Sequence, residues 1–320
     1  MFAGMDQSLP TRQALVLPPR LPGWAMARGS EADALDAAFA AGAALKSLDE
    51  IVQSAPVWAG CWRARQALRC AAAAVRLAGR DEDAAALRDS VLMTPAGGDP
   101  GPAGRVFVAF RRLASRKTAM NTATIAELAG LLGLAWNDRL EGIADQAEAA
   151  LHSGRAAPFA AATLVRAIHA RHPEAEALAW ALGDALIAAA LKWDHPVPLL
   201  MGERYGAAFR TSGGRGRVTP DETGFERAVC LALVDAVGAA LRSAGEIARR
   251  ADDLLAVAPK VRTRGGGRVI RALLEEDALS ATAPGLGLSR WASTRLFERL
   301  ESLEAVRELS GRQAFRLYGL

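Results

Sequence analysis

The chain reads as all-α: a multi-helix bundle followed by a small C-terminal winged helix-turn-helix with a short β-hairpin. Three observations predict this. Half of the 320 residues are apolar and Ala dominates them, with only nine Phe, seven Trp and two Tyr. Ala is the strongest helix former and a poor strand former, so such a composition favours closely spaced helices. Apolar residues recur at helical spacing over most of the length. Only the last stretch changes period, where a helical pattern from Leu288 runs into two short alternating runs joined by Ser310-Gly311-Arg312-Gln313.

The elements follow in order. Residues 1–29 are Pro-rich and aperiodic and read as a flexible arm. Ser30-Glu-Ala-Asp33 resembles a capping box, after which Leu35, Phe39, Gly42, Leu45, Leu48 and Val52 mark one helix face. A second helix follows Pro56, with Trp58, Trp62 and Leu68 inward and Arg63, Arg65, Arg69 and Arg76 between them. Those arginines read as a solvated face, with an anionic site as the alternative. TPAGGDPGPAGR, 94–105, lacks the spacing of a dinucleotide loop or P-loop and reads as a loop. Helices are expected near 81–92, 105–116, 123–134, 137–153 and 157–171. The apolar run Ala177–Leu191 is broken by Gly183 and Asp184 and is too short for a bilayer, so it reads as a core helix. TSGGRGRVTPDETG, 211–224, is Gly-rich and partly basic; a mobile loop is the plain reading and a phosphate-holding one the alternative. A long helix over about Glu222–Ala258 presents Phe225, Val229, Leu233, Val237, Leu241, Ile247 and Leu254 on one side, and Pro259 ends it. The expected division is therefore 1–29 arm, 30–258 helical bundle and 259–320 winged helix-turn-helix.

Charge is informative by region. Arg outnumbers Lys 35 to 4, a ratio that nucleotide bias alone can produce. Residues 260–320 hold eleven Lys/Arg and seven Asp/Glu, leaving 28 of each sign in the other 259 residues. The whole basic excess lies in the last fifth of the chain, which fits nucleic-acid contact. Cys61, Cys70 and Cys230 form no C-x-x-C pair and read as buried free thiols. With no export signal in MFAGMDQSLPTRQALVLPPRLPGW, the expected setting is the cytoplasm, away from membrane.

In the terminal region the first helix fits 267–279, and SATAPGLG, 280–287, holds a second, irregular element. Ser289 then N-caps a recognition helix whose packed stripe is Leu296, Phe297, Leu300 and Leu303. The outward positions of its first half are Arg290, Trp291, Thr294 and Arg295, the half that enters the major groove in helix-turn-helix proteins. Trp291 could instead pack on the preceding element. Strands over Val306–Leu309 and Ala314–Tyr318 place Arg312, Gln313 and Arg316 on the wing. This run resembles the C-terminal module of many bacterial regulators and Fic-type proteins, in which L-x-x-L-G, two apolar residues and Arg-Glu precede a T-G-R turn. Here Glu304 stands where that Gly is usual.

No hydrolase, zincin, EF-hand or P-loop signature occurs, and no cofactor, catalytic residue or metal set is assigned. His169 and His172 lie three apart near Glu174 and Glu176, too clustered a set without a ligand from elsewhere. FAAATLVRAIHARHPEAEALAWALGDALIAAALKWDHPVPLL resembles the core of the Fic family, whose signature is H-P-F-x-x-G-N-G-R. His172 and Pro173 match it; Glu174, Ala177, Leu178, Ala179 and Trp180 replace the rest. Without the glycines no nest of N–H groups forms, and without the Arg no bidentate phosphate clamp. The body is thus either a degenerate Fic-like fold, with His172 as a vestigial site, or an unrelated bundle, and in both cases not an enzyme of the usual Fic kind. Taken whole, the chain resembles the uncharacterised bacterial family of domain of unknown function 1403, in GDPGPAGR, LLGLAW, LLAVAPKVR and VRELSGRQAFRLYGL. That resemblance implies no established activity. The expected function is a DNA-binding regulator with a non-catalytic body and duplex DNA as partner. The alternative is an interaction or antitoxin-like protein whose winged helix contacts a protein partner or a second copy.

Overall fold

The computed structural model describes residues 12, 15–25, 32–95, 97–211, 215–312 and 314–320. Among them lie eleven α-helices and one small three-stranded sheet, so the all-α expectation holds at that level. The chain divides into two compact units: residues 19–54 with 66–241, and residues 1–18, 55–65 and 242–320.

The first unit contains α1 (Ala34–Ser54), most of α2 (Ala59–Leu77), α3 (Ala84–Leu92), α4 (Gly101–Ser115), α5 (Thr122–Leu131), α6 (Asp138–Leu151), α7 (Ala157–Arg171) and α8 (Glu176–Ala190). The long α9 (Phe225–Val257) contributes its residues through Leu241. Capping sets several starts. Asp83 accepts from Ala86 N at 2.8 Å and Asn121 from Thr124 N at 2.9 Å. Proline occupies the first turn of α4 and α7, where its missing N–H costs nothing. The helix expected from 105 therefore begins at Gly101, inside the Gly/Pro loop.

α1 departs from expectation. Its cap is Asp33, which accepts from Leu35 N and Asp36 N, both at 2.8 Å; Ser30 and Glu31 lie outside the described residues. The buried face is Ala37, Ala40, Ala41, Ala44, Leu45, Leu48 and Ile51, while Leu35 and Phe39 are 80 % and 68 % exposed. Leu45 and Leu48 of the expected face are buried, but in the first turns alanines, which let helices approach closely, take the core in place of Leu35 and Phe39.

α8 is the core helix. Every residue from Leu178 to Ala188 is buried, as expected of a helix apolar all round. Its charged residue, Asp184, accepts from Leu199 N at 2.8 Å and Leu200 N at 3.1 Å, so it fastens the proline-rich segment after the helix. α8 ends on Lys192 at φ 57°, with Trp193 N bonded to Ala188 O at 2.8 Å. That is a left-handed C-terminal motif built without glycine.

α9 meets its prediction: Phe225, Val229, Leu233, Val237, Leu241, Ile247 and Leu254 are all buried. With the 3-10 turn Ala258–Lys260 it is long and apolar enough to cross a bilayer by length and composition, and 72 % of its most apolar window is buried in the fold.

In the second unit, α10 (Gly266–Glu275) stops four residues short of its expected end, and β1 (Leu279–Ser280) replaces its tail. α11 (Arg290–Ser302), β2 (Arg307–Glu308) and β3 (Leu317–Gly319) follow. The sheet is antiparallel in the order β1-β3-β2, pairing Leu279 with Tyr318 and Glu308 with Tyr318. Residues 281–289 form turns rather than a helix; Gly285 and Gly287 take φ of 85° and 68°. The expected strand 314–318 is shorter, because Phe315 at φ 56° breaks the extended run. Beneath the sheet, Arg65 is ion-paired to buried Asp277 and donates to the Leu320 carbonyl oxygen at 3.1 Å. Burial works to lower the Arg65 pKa, but the surrounding acidic groups, Asp277 foremost, together outweigh it and leave it raised. Arg65 is thus a half-buried structural cation, and Arg69, paired with Glu203, is another; neither belongs to a solvated face.

Candidate nucleic-acid interface

Ser289 opens α11 in extended conformation and its hydroxyl accepts from Ala292 N at 3.3 Å. This cap fixes the helix phase. Leu296, Phe297 and Leu300 turn inward, and Phe297 stacks on Tyr318 with ring centres 4.7 Å apart. The opposite side is exposed: Arg290, Trp291 at 70 % and Arg295. Trp291 is therefore not packed on the preceding segment. The Arg295 guanidinium lies 4.5 Å from its ring centre, a cation–π contact that orders both side chains at the surface. Thr294 is half-buried and its hydroxyl donates to Arg290 O at 3.0 Å, so that hydroxyl is engaged within the helix.

The charges on α11 run against its dipole. Arg290 and Arg295 occupy the first half; Glu298, Glu301 and, just beyond, Glu304 follow in the second, with Arg299 among them. A helix prefers acids at its N-terminus and bases at its C-terminus, so this order is not one that helix stability selects. The helix ends on Glu304 at φ 57°, with Ala305 N bonded to Leu300 O at 3.0 Å and Glu304 N to Glu301 O at 2.8 Å. Glu304 thus adopts the left-handed conformation of the glycine it replaces.

On the turn between β2 and β3, Glu308 accepts from Ser310 N at 2.7 Å and Gly311 N at 2.9 Å, and from the Ser310 hydroxyl. Burial alone would raise its pKa; these bonds and nearby Arg316 outweigh burial and hold it below the usual range. Arg312 and Arg316 are exposed, with Arg316 Nε donating to Arg312 O at 3.3 Å. Gln313 lies outside the described residues. Phe315, which alternation alone would not single out, is 60 % exposed. Contacts thus bring Arg295 to Trp291 and Arg316 to Arg312.

Sequence reasoning missed a cleft of about 1030 Å³ in this unit. Its walls carry Glu246, Arg249, Arg250 and Asp253 from α9 and Glu301, Glu304, Arg307 and Glu308 from the end of α11 onward. Five acids against three bases make it unsuited to a polyanion, in contrast to the start of α11.

His172 caps the C-terminus of α7. It is 6 % exposed, its N–H donates to Ile168 O at 2.7 Å, and its Nδ1 lies 3.7 Å from Glu174. Trp180, at the position of the Fic arginine, is buried and donates to Glu176 at 3.1 Å. Among the described residues no group of three or more His, Cys, Asp or Glu could hold a metal ion.

No curated protein and no solved structure gives a match to this chain. The sequence model of one family, described as Protein of unknown function (DUF1403), matches residues 10–320. That match takes in both compact units, and the chain belongs to the DUF1403 family.

Proposed function

We propose that this protein is a DNA-binding regulator whose C-terminal unit acts as a winged helix, contacting duplex DNA through the start of α11 and the β2–β3 turn. The observation that carries the reading is the exposed Arg290–Trp291–Arg295 cluster, placed on α11 against the helix dipole. The order α10-β1-α11-β2-β3 and the sheet order β1-β3-β2 support it, because a helix followed by an antiparallel strand pair is the order of parts that a winged helix uses. A helix does not occupy 281–289, so the support given to α11 comes from turns rather than from a second helix. In this reading Arg290, Arg295, Arg312 and Arg316 engage phosphates, and Trp291 lies against the sugar–phosphate edge or a base. The helical body carries no catalysis, and His172 is a packed residue.

Electrophoretic shift of duplex genomic fragments over a salt series tests this. Binding should weaken steeply with salt, and Arg290→Ala with Arg295→Ala should reduce the log–log salt slope by about two. Absent or salt-insensitive binding sinks the reading. A second reading has one observation in its favour: the mixed-charge cleft suits a basic protein segment better than DNA. Co-purification of a stoichiometric protein partner, lost on Glu301→Lys with Glu304→Lys while no DNA is retained, would favour it.

A further inference from the structure

In the first unit, which holds none of the residues assigned to DNA, the chain turns through Leu200–Glu203 and gathers arginines around one tyrosine. Arg204 is buried and paired with Glu176, while its Nη1 has no hydrogen bond. Tyr205 follows, with the guanidinium of Arg76 4.3 Å and that of Arg217 5.0 Å from its ring centre. Arg217 is held in place by donating to the carbonyl oxygens of Arg204, Tyr205 and Gly206 at 3.2, 3.1 and 3.4 Å. Arg210 faces Arg217 across an antiparallel bridge. Burial lowers the Arg217 pKa, and Arg204, Arg210 and Arg76 lower it further.

The compensating acids are few. Glu176 is paired with Arg204 and Glu203 with Arg69. Arg76 and Arg210 have no acidic partner among the described residues. This is not general basicity, because residues 1–259 carry equal numbers of acids and bases. Like charges fixed together by specific bonds repel, and a multiply charged oxyanion is the ligand that reverses the sign of that energy. Guanidinium forks match phosphate geometry. The charge is graded inward, from exposed Arg76 and Arg210 through half-buried Arg217 to buried Arg204. A recessed field suits a small anion better than a duplex backbone, which meets protruding cations.

The geometry points to a binding site for a small phosphate-bearing molecule at this cluster, with Arg76, Arg210 and Arg217 holding the oxyanion and Tyr205 forming its floor. The site stands whether or not the protein binds DNA. Calorimetric titration of the full-length protein with inorganic phosphate and with pyrophosphate, at ionic strength balanced by chloride, tests it. Both should bind saturably, pyrophosphate more tightly. Arg76→Gln with Arg210→Gln should weaken both at least about tenfold, the size of one charge-assisted hydrogen bond. Arg112→Ala, on a surface pair with Glu127, should leave the affinities unchanged. Circular dichroism checks that the variants fold, which two exposed side chains permit; should the double variant unfold, Arg76→Gln alone gives the same reading. No saturable binding of either anion, or affinities unchanged in the variant, overturns the proposal. So does binding of a duplex oligonucleotide that depends on Arg76 and Arg210 without any response to phosphate or pyrophosphate.

Discussion

Asp184 is the residue whose protonation the fold controls most directly. Its carboxyl is fully enclosed by α8 and the Leu199–Leu200 backbone, and burial pushes its pKa up to about 7 despite the two N–H groups that favour the charged form. A carboxyl with a raised native pKa takes up a proton on folding, so its contribution is intact below its ordinary value of 3.8 and is lost as pH climbs through about 7. Urea unfolding at a series of pH values should show stability falling across that window. Asp184→Asn retains an acceptor for Leu199 and Leu200 and removes the charge, so the decline should flatten in the variant; an unchanged decline would show that another group causes it. Arg65 poses the opposite case. It neutralises Asp277, which is 4 % exposed, and Arg65→Met leaves that carboxylate buried without its cation. Breaking such a pair costs on the order of 3 kcal/mol, measurable by the same unfolding method. A loss below about 0.5 kcal/mol, the range of ordinary surface substitutions, would class the pair as a surface one. The long separation in sequence between residues 65 and 277 is why neither partner identified the other beforehand.

At the scale of elements, helix ends show what sequence conveys and what it conceals. The start of α11 was readable from Ser289 before its apolar run, because cap chemistry is local. Asp83 and Asn121 cap α3 and α5 in the same way, and Asp83 sets the α3 start at Ala84 where 81 was expected. The buried face of α1 was not readable, since alanine on every side blurs the period that Leu35 and Phe39 suggested. The end of α10 was hidden for another reason. Leu279 continues the apolar pattern of the helix, but pairing with β3 captures it together with Ser280, and that partner lies nearly forty residues on. Glu304 yields a prediction. Its left-handed φ of 57° closes the α11 motif at a cost a glycine would not incur. Glu304→Gly should therefore stabilise the protein by about 0.5–1 kcal/mol, seen as a higher melting temperature. Destabilisation would mean that the Glu304 side chain contributes contacts worth more than the backbone strain. The same reasoning at Gly60 gives the opposite sign: a Cβ there would lie 2.8 Å from the Glu275 Cα, so Gly60→Ala forces backbone apart and should cost about 1–3 kcal/mol.

For the whole molecule, the most general consequence of an alanine-built interior is that its three thiols are out of reach. Cys61 and Cys230 are raised to about 12 and about 11, and fully enclosed Cys70 well above its usual value, in each case chiefly by burial. Thiolate is the reactive form, so at neutral pH each cysteine is both covered and protonated. Composition made this readable in part: an odd count without C-x-x-C spacing indicated free thiols, whereas the arginine cluster around Tyr205 draws on residues 76 to 217, so the anionic alternatives for Arg76 and for 211–224 had nothing local to join them. A chromogenic disulfide reagent should label none of the three in the native protein and all three in denaturant. Cys61 then serves as a reporter for the unit that carries α11, because labelling requires that unit to open. If opening is fast relative to labelling, the Arg65→Met variant should label at Cys61 on the order of a hundredfold faster, matching its loss of about 3 kcal/mol. Rapid native labelling at any of the three positions would contradict the burial described above. An unchanged Cys61 rate in Arg65→Met, alongside reduced global stability, would mean that Cys61 becomes accessible by a local fluctuation that leaves the Arg65–Asp277 pair closed.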